Sequence, residues 1–159
     1  MIWAARIARQ AGIPVVADLE NDFMPQFPDL LALVDHLIVS FEFAKKLTGE
    51  TDPAAAAARL WRDDRRTVVV TCGAGGCWYV EVACVSRPDY QPAYRVQVMD
   101  TTGCGDVFHG AYASALVRGL ELPERIRFAS AAAALKATQP GGQAGIPSRA
   151  AVEEFLAGH

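Results

Sequence analysis

The chain has 159 residues, a formal charge of −3 and 52% apolar residues. That length fits one domain with enough apolar material for a core. The slight acidic balance excludes a basic footprint for nucleic acid or an anionic membrane, and no apolar run nears the ~20 residues of a membrane span.

In chain order, a helix is expected over Trp3–Gln10. The charge-broken opening Met1-Ile-Trp-Ala-Ala-Arg does not read as a secretory signal, so a cytoplasmic location is expected. Gly12 leads to a strand, Ile13–Ala17. Asp18 and Glu20 follow it, either near a ligand at the carboxyl end of a sheet or as solvated loop charges. A Pro-rich loop precedes a short helix near Leu30–Val34. His36–Val39 reads as a buried strand and Phe43–Leu47 as a helix closed by Gly49. Asp52-Pro53 caps the next helix, with Ala57, Leu60 and Trp61 facing inward. Thr67–Thr71 is a continuous apolar strand of the parallel, doubly covered kind. Cys77–Val82 and Tyr94–Val98 alternate as antiparallel edge strands joined by a loop over Ser86–Pro92. Helices are expected over Asp106–Arg118, Pro123–Thr138 and Ser148–Leu156. The alternation of helices and strands gives an α/β fold with a mostly parallel central sheet. Cys72, Cys77, Cys84 and Cys104 lack zinc spacing and read as free thiols. Cys104 stands at a helix start, a position that lowers a thiol pKa.

The segment Asp100-Thr-Thr-Gly-Cys-Gly-Asp106 carries the chemistry. Two glycines open a helix whose first N–H groups lack intrahelical acceptors and sit at the positive end of the helix dipole. Glycine lets an anion approach that backbone closely. Asp106 would repel an anion unless it serves as a base toward a hydroxyl attacking a phosphoryl group; the alternative is a plain helix cap. His109, one turn further on, reads as a packing histidine.

The run from Asp100 to Ala111 resembles the second signature of the ribokinase-like (PfkB) carbohydrate kinase family. Thr71-Cys-Gly-Ala-Gly-Gly76 resembles its nucleotide loop. Phe128–Thr138 with Gly141-Gly142 and Ile146-Pro147 resembles its final helix pair. The resemblance implies a ribokinase-like three-layer αβα fold and ATP-dependent phosphorylation of a sugar hydroxyl. By that resemblance Asp106 is the base, and the amides of Gly103, Cys104 and Gly105 form the anion hole. Ser40, Thr71, Gly73, Gly76 and Ser130 contact the nucleotide. Magnesium neutralises its phosphates, and carbonyls of Asp100, Thr102, Ala137 and Gly141 hold a monovalent cation. A hairpin turn is the other reading of Gly73, Gly75 and Gly76. The Gly103–Asp106 loop and the Ser40 segment are also similar to those of ketohexokinase-like kinases.

The sequence departs from the family in two places. Where members have Asn-x-x-Glu near magnesium, this chain has Ser40-Phe-Glu42-Phe43. Family members also carry a large portion before the position matching Ile13, with an earlier glycine signature, most sugar-binding residues and a lid. The chain therefore resembles a C-terminal half, incomplete at the N-terminal side of its sheet, with an open edge at Ile13–Ala17. Self-association through that edge is expected. A non-catalytic nucleotide-binding remnant is the alternative function.

Overall fold

The computed structural model describes residues 1–81 and 87–159. The expected strand end Val82, the loop start Ser86 and Cys84 lie outside the described residues. The chain forms two compact units, Met1–Tyr90 and Gln91–His159. Among the described residues no helix is long and apolar enough to cross a membrane.

The first unit opens with α1 (Ile2–Gln10), β1 (Val16–Asp18), α2 (Phe27–Ala32) and β2 (His36–Ser40). It continues with α3 (Phe41–Thr48), α4 (Pro53–Leu60), β3 (Thr67–Thr71) and β4 (Cys77–Val80). β5 (Asp89–Gln91) completes a sheet of order β1-β2-β3-β4-β5. β1, β2 and β3 run parallel, with Leu37 level with Val68 and Val39 with Val70. β3 and β4 are antiparallel, with Val68 opposite Val80. Successive strand residues point to opposite faces. Leu37, Ile38, Val39, Val68, Val69 and Val70 are nevertheless all fully buried, which is why these strands carry no polar alternation. One face packs on Phe27, Phe43, Ala56, Ala57 and Leu60.

Helix boundaries in this unit follow local chemistry. Asp52 accepts the Ala55 N–H at 2.8 Å, a cap contributing about 1 kcal/mol. α3 ends on Gly49 at φ 77°, a left-handed conformation that favours glycine. Arg65, 4% exposed, joins the elements below the sheet. Its guanidinium donates to the carbonyls of Val34 at 3.2 Å, Leu31 at 2.6 Å and Leu60, and burial pulls its pKa down to about 10.

The second unit contains α5 (Cys104–Val117), α6 (Leu122–Ala137) and α7 (Arg149–Ala157). Val107, Ala115, Phe128, Ala131, Ala132 and Val152 form its core. α6 starts in a capping box between Glu121 and Glu124, and Ser148 Oγ accepts the Ala151 N–H at 3.2 Å to start α7.

Two strand expectations fail. Tyr94–Val98 forms no strand, while Asp89–Gln91, expected as loop, does. Alternation alone supplies no partner for a ladder, and Tyr94 instead stacks edge-on against Phe155 of α7, with ring centroids 5.3 Å apart. Tyr90 of β5 is held by its hydroxyl on Gly75 O at 2.9 Å and by its ring against Trp78. β1 is also shorter than the expected Ile13–Ala17; Ile13 stands outside it, 58% exposed.

Candidate active site

Glycine geometry sets the start of α5. Gly103 is the N-cap at φ 76°, a backbone an L side chain strains to adopt. A side chain there would also meet Gly142 O at 3.6 Å and Asp106 Oδ2 at 3.7 Å. Asp106 is the third helical residue, so its exposed carboxylate sits beside the first turn of free-ended amides. The Cys104 N–H donates to Thr101 O at 3.1 Å and so belongs to the turn. Helix geometry denies intrahelical acceptors to the N–H groups of Gly105 and Asp106. Of the Gly103, Cys104 and Gly105 amides expected as the anion hole, that of Cys104 is thus engaged within the turn.

Asp106 faces a cleft of about 530 Å³ within the second unit, lined also by Thr102, Gly110, Ser114, Gly142 and Gln143. Gly110 and Ser114 follow Asp106 at intervals of one turn, so small residues keep that face of α5 open. His109 points away from this role: its Nδ1 lies 2.8 Å from Gly105 O on its own helix.

The loop before α5 is clamped by Asp100. Its Oδ1 accepts the Thr102 N–H and its Oδ2 the Gly141 N–H, each at 2.8 Å. The Thr102 amide and hydroxyl, then the Gly141 amide, lower its carboxyl pKa to about 2. Ala137 O, at the end of α6, accepts the N–H groups of Met99 at 2.8 Å and Asp100 at 3.2 Å. Lys136, fully buried, brings its ammonium to 3.4 Å from Asp100 O and 3.5 Å from Gln139 O. Cys104 reverses its expected pKa direction. Burial pushes the thiol up, Lys136 opposes this and Asp100 adds to it.

The residues expected to form a nucleotide loop lie in the first unit. Gly73–Gly75 is a single 3₁₀ turn joining β3 to β4, with Gly73 at φ 55° and Gly76 at φ 81°. The Cys72 N–H donates to Gly76 O at 2.7 Å. These glycines are therefore required by the hairpin, whatever else they contact. Thr71 Oγ1 sits 3.4 Å from Val39 O. Ser40 is the N-cap of α3, its Oγ accepting the Phe43 N–H at 3.2 Å, and Glu42 lies in that helix's first turn. Ser130, half-buried on α6, does not line the Asp106 cleft; Phe128 and Ala132 do. Two residues round a helix is roughly 200°, which turns Ser130 from that face. Among the described residues no group of three or more His, Cys, Asp and Glu could hold a metal ion.

The model of the pfkB family carbohydrate kinases matches residues 2–149. A ribokinase from Haemophilus influenzae is 35% identical over 96% of this chain and 50% of its own length. A solved structure of a putative ribokinase from Agrobacterium tumefaciens superposes with a TM-score of 0.89 at 30% identity, over 97% of this chain and 50% of that one. Arabidopsis thaliana ribokinase complexed with ribose and ATP gives 0.86 at 32% identity, over 98% and 51%. The chain thus has the ribokinase fold and spans about half the length of these relatives.

Proposed function

This chain belongs to the pfkB family of carbohydrate kinases, and on that premise we propose that it carries the phosphoryl-transfer part of an ATP-dependent sugar kinase. The observation that carries the reading is Asp106, solvent-accessible in a cleft at the N-terminus of α5 beside amides that helix geometry leaves without acceptors. A sugar hydroxyl gives its proton to the Asp106 carboxylate as its oxygen attacks the γ-phosphorus of ATP. The new O–P bond forms as the bond to the β,γ-bridging oxygen breaks, and ADP leaves. The N–H groups of Gly105 and Asp106 stabilise charge on the transferring group, with Gly103 allowing close approach. General-base assistance contributes ~10²–10⁴-fold. Magnesium on the nucleotide phosphates would supply charge neutralisation.

Thr71, Gly73, Gly76, Ser40 and Ser130 remain the proposed nucleotide contacts. For Ser40 this contact is through a residue that also caps α3. The relative complexed with ribose and ATP makes a ribose-like sugar the first acceptor to test, ahead of ketohexokinase-type ketoses.

The second reading is a nucleotide-binding remnant without turnover. Calorimetry with ATP and a coupled ADP assay over a sugar panel separate the two. Sugar-dependent ADP release gives the kinase; ATP binding without release on any sugar gives the remnant.

A further inference from the structure

We propose that Lys136 is the resident cation of the Asp100 loop, taking the place of the monovalent cation that the family resemblance implies. Two of the four carbonyls that would serve such an ion, those of Asp100 and Ala137, are already engaged. Asp100 O faces the Lys136 ammonium at 3.4 Å, and Ala137 O accepts two backbone N–H groups. The ammonium contacts are longer than tight hydrogen bonds, so the side chain acts chiefly as a positive charge set among carbonyl oxygens.

Its position suits that role. Lys136 stands in the last turn of a 16-residue helix, where the helix dipole favours a cation. It is 0% exposed, and a buried ammonium is retained only where oxygens replace its water. Its stem is packed from above by Gly145: a Cβ added there would lie 2.9 Å from Lys136 Cδ and 2.8 Å from Gln139 Cβ. The ammonium thus joins the end of α6 to the residue whose carboxylate fixes Thr102 and Gly141, two positions at the mouth of the Asp106 turn. Lys136 is a positioning residue; it acts through Asp100 and touches no reacting atom. The inference rests on loop geometry, independently of the kinase reading, and its test needs no turnover.

The test compares melting temperature and the Thr102 and Gly141 amide signals in potassium chloride and choline chloride at equal ionic strength. The unmodified chain is expected to shift by less than about 1 °C between the salts, with both amides unmoved. Lys136→Ala, which removes charge and opens space, is expected to melt lower in choline and recover by roughly 3–5 °C in potassium, with both amides moving. Lys136→Met, which removes the charge but keeps the space filled, is expected to show no recovery. Lys136→Ser serves in place of Lys136→Ala if the latter does not fold. A potassium response in the unmodified chain, indifference to potassium in the cavity-opening variant, or equal recovery in Lys136→Met would each overturn the proposal.

Discussion

The carboxylate of Asp100 accepts the backbone N–H of Gly141 at 2.8 Å across 41 residues of chain. Its other oxygen accepts the amide of Thr102. One side chain therefore fixes both the loop that enters α5 and the loop that leaves α6. Asp106 is presented from the first of these, and Gly142 and Gln143 line its cleft from the second.

Replacing Asp100 by Asn keeps one acceptor but turns the other into a donor facing a donor N–H. Faster hydrogen exchange is expected at Thr102 and Gly141, with Cys77 and Val69 in the sheet unaffected. The pH dependence has a definite sign. The folded carboxyl lies at about 2, below the ordinary 3.8. Its contribution is therefore complete above about pH 4 and lost as pH falls through about 2. Carboxyl carbon titration by NMR reads this directly; a midpoint at or above 3.8 would contradict the clamp.

Cys104 is expected to alkylate slowly. Burial raises its thiol pKa, so at pH 7.5 the thiolate fraction falls below that of an unfolded cysteine. Mass-spectrometric labelling with iodoacetamide should give a slower rate at Cys104 in the folded chain than in urea-unfolded chain. A folded-state rate exceeding the unfolded one would show that the helix terminus prevails.

Most of the fold was legible because its elements carry redundant signals. Asp52-Pro53 starts α4 and Gly49 ends α3, as the capping chemistry requires. The failure at Tyr94–Val98 shows what periodicity lacks: it reports which side chains are partly buried, not whether a neighbouring strand exists. The glycine turn into α5 was legible because its chemistry is local: Gly103 caps the helix and Asp106 lies in its first turn. It was not legible where a backbone amide closes its own turn, as at Cys104. Lys136 carries a sequence signal of its own. It falls on the stripe Leu122, Ile126, Ala129 and Ala132, all buried, and a lysine on the inward face of an apolar helix announces an internal charge.

The edge of the first unit bears on assembly. β1 ends the strand order among the described residues, and Trp3, Ile13 and Phe23 of the same unit are 77%, 58% and 83% exposed. Unpaired strand edges with apolar surroundings recruit other chains. Light scattering should show mass rising with concentration, and Ile13→Lys should reduce it. A monodisperse monomer at high concentration would contradict this expectation.

The proton-accepting role proposed for Asp106 is tested most directly by sugar-dependent ADP release from the unmodified chain and from Asp106→Asn, with ATP affinity measured on both by calorimetry. The account predicts equal ATP affinity and a fall in turnover of ~10²–10⁴-fold. Near-normal turnover in the variant would contradict it.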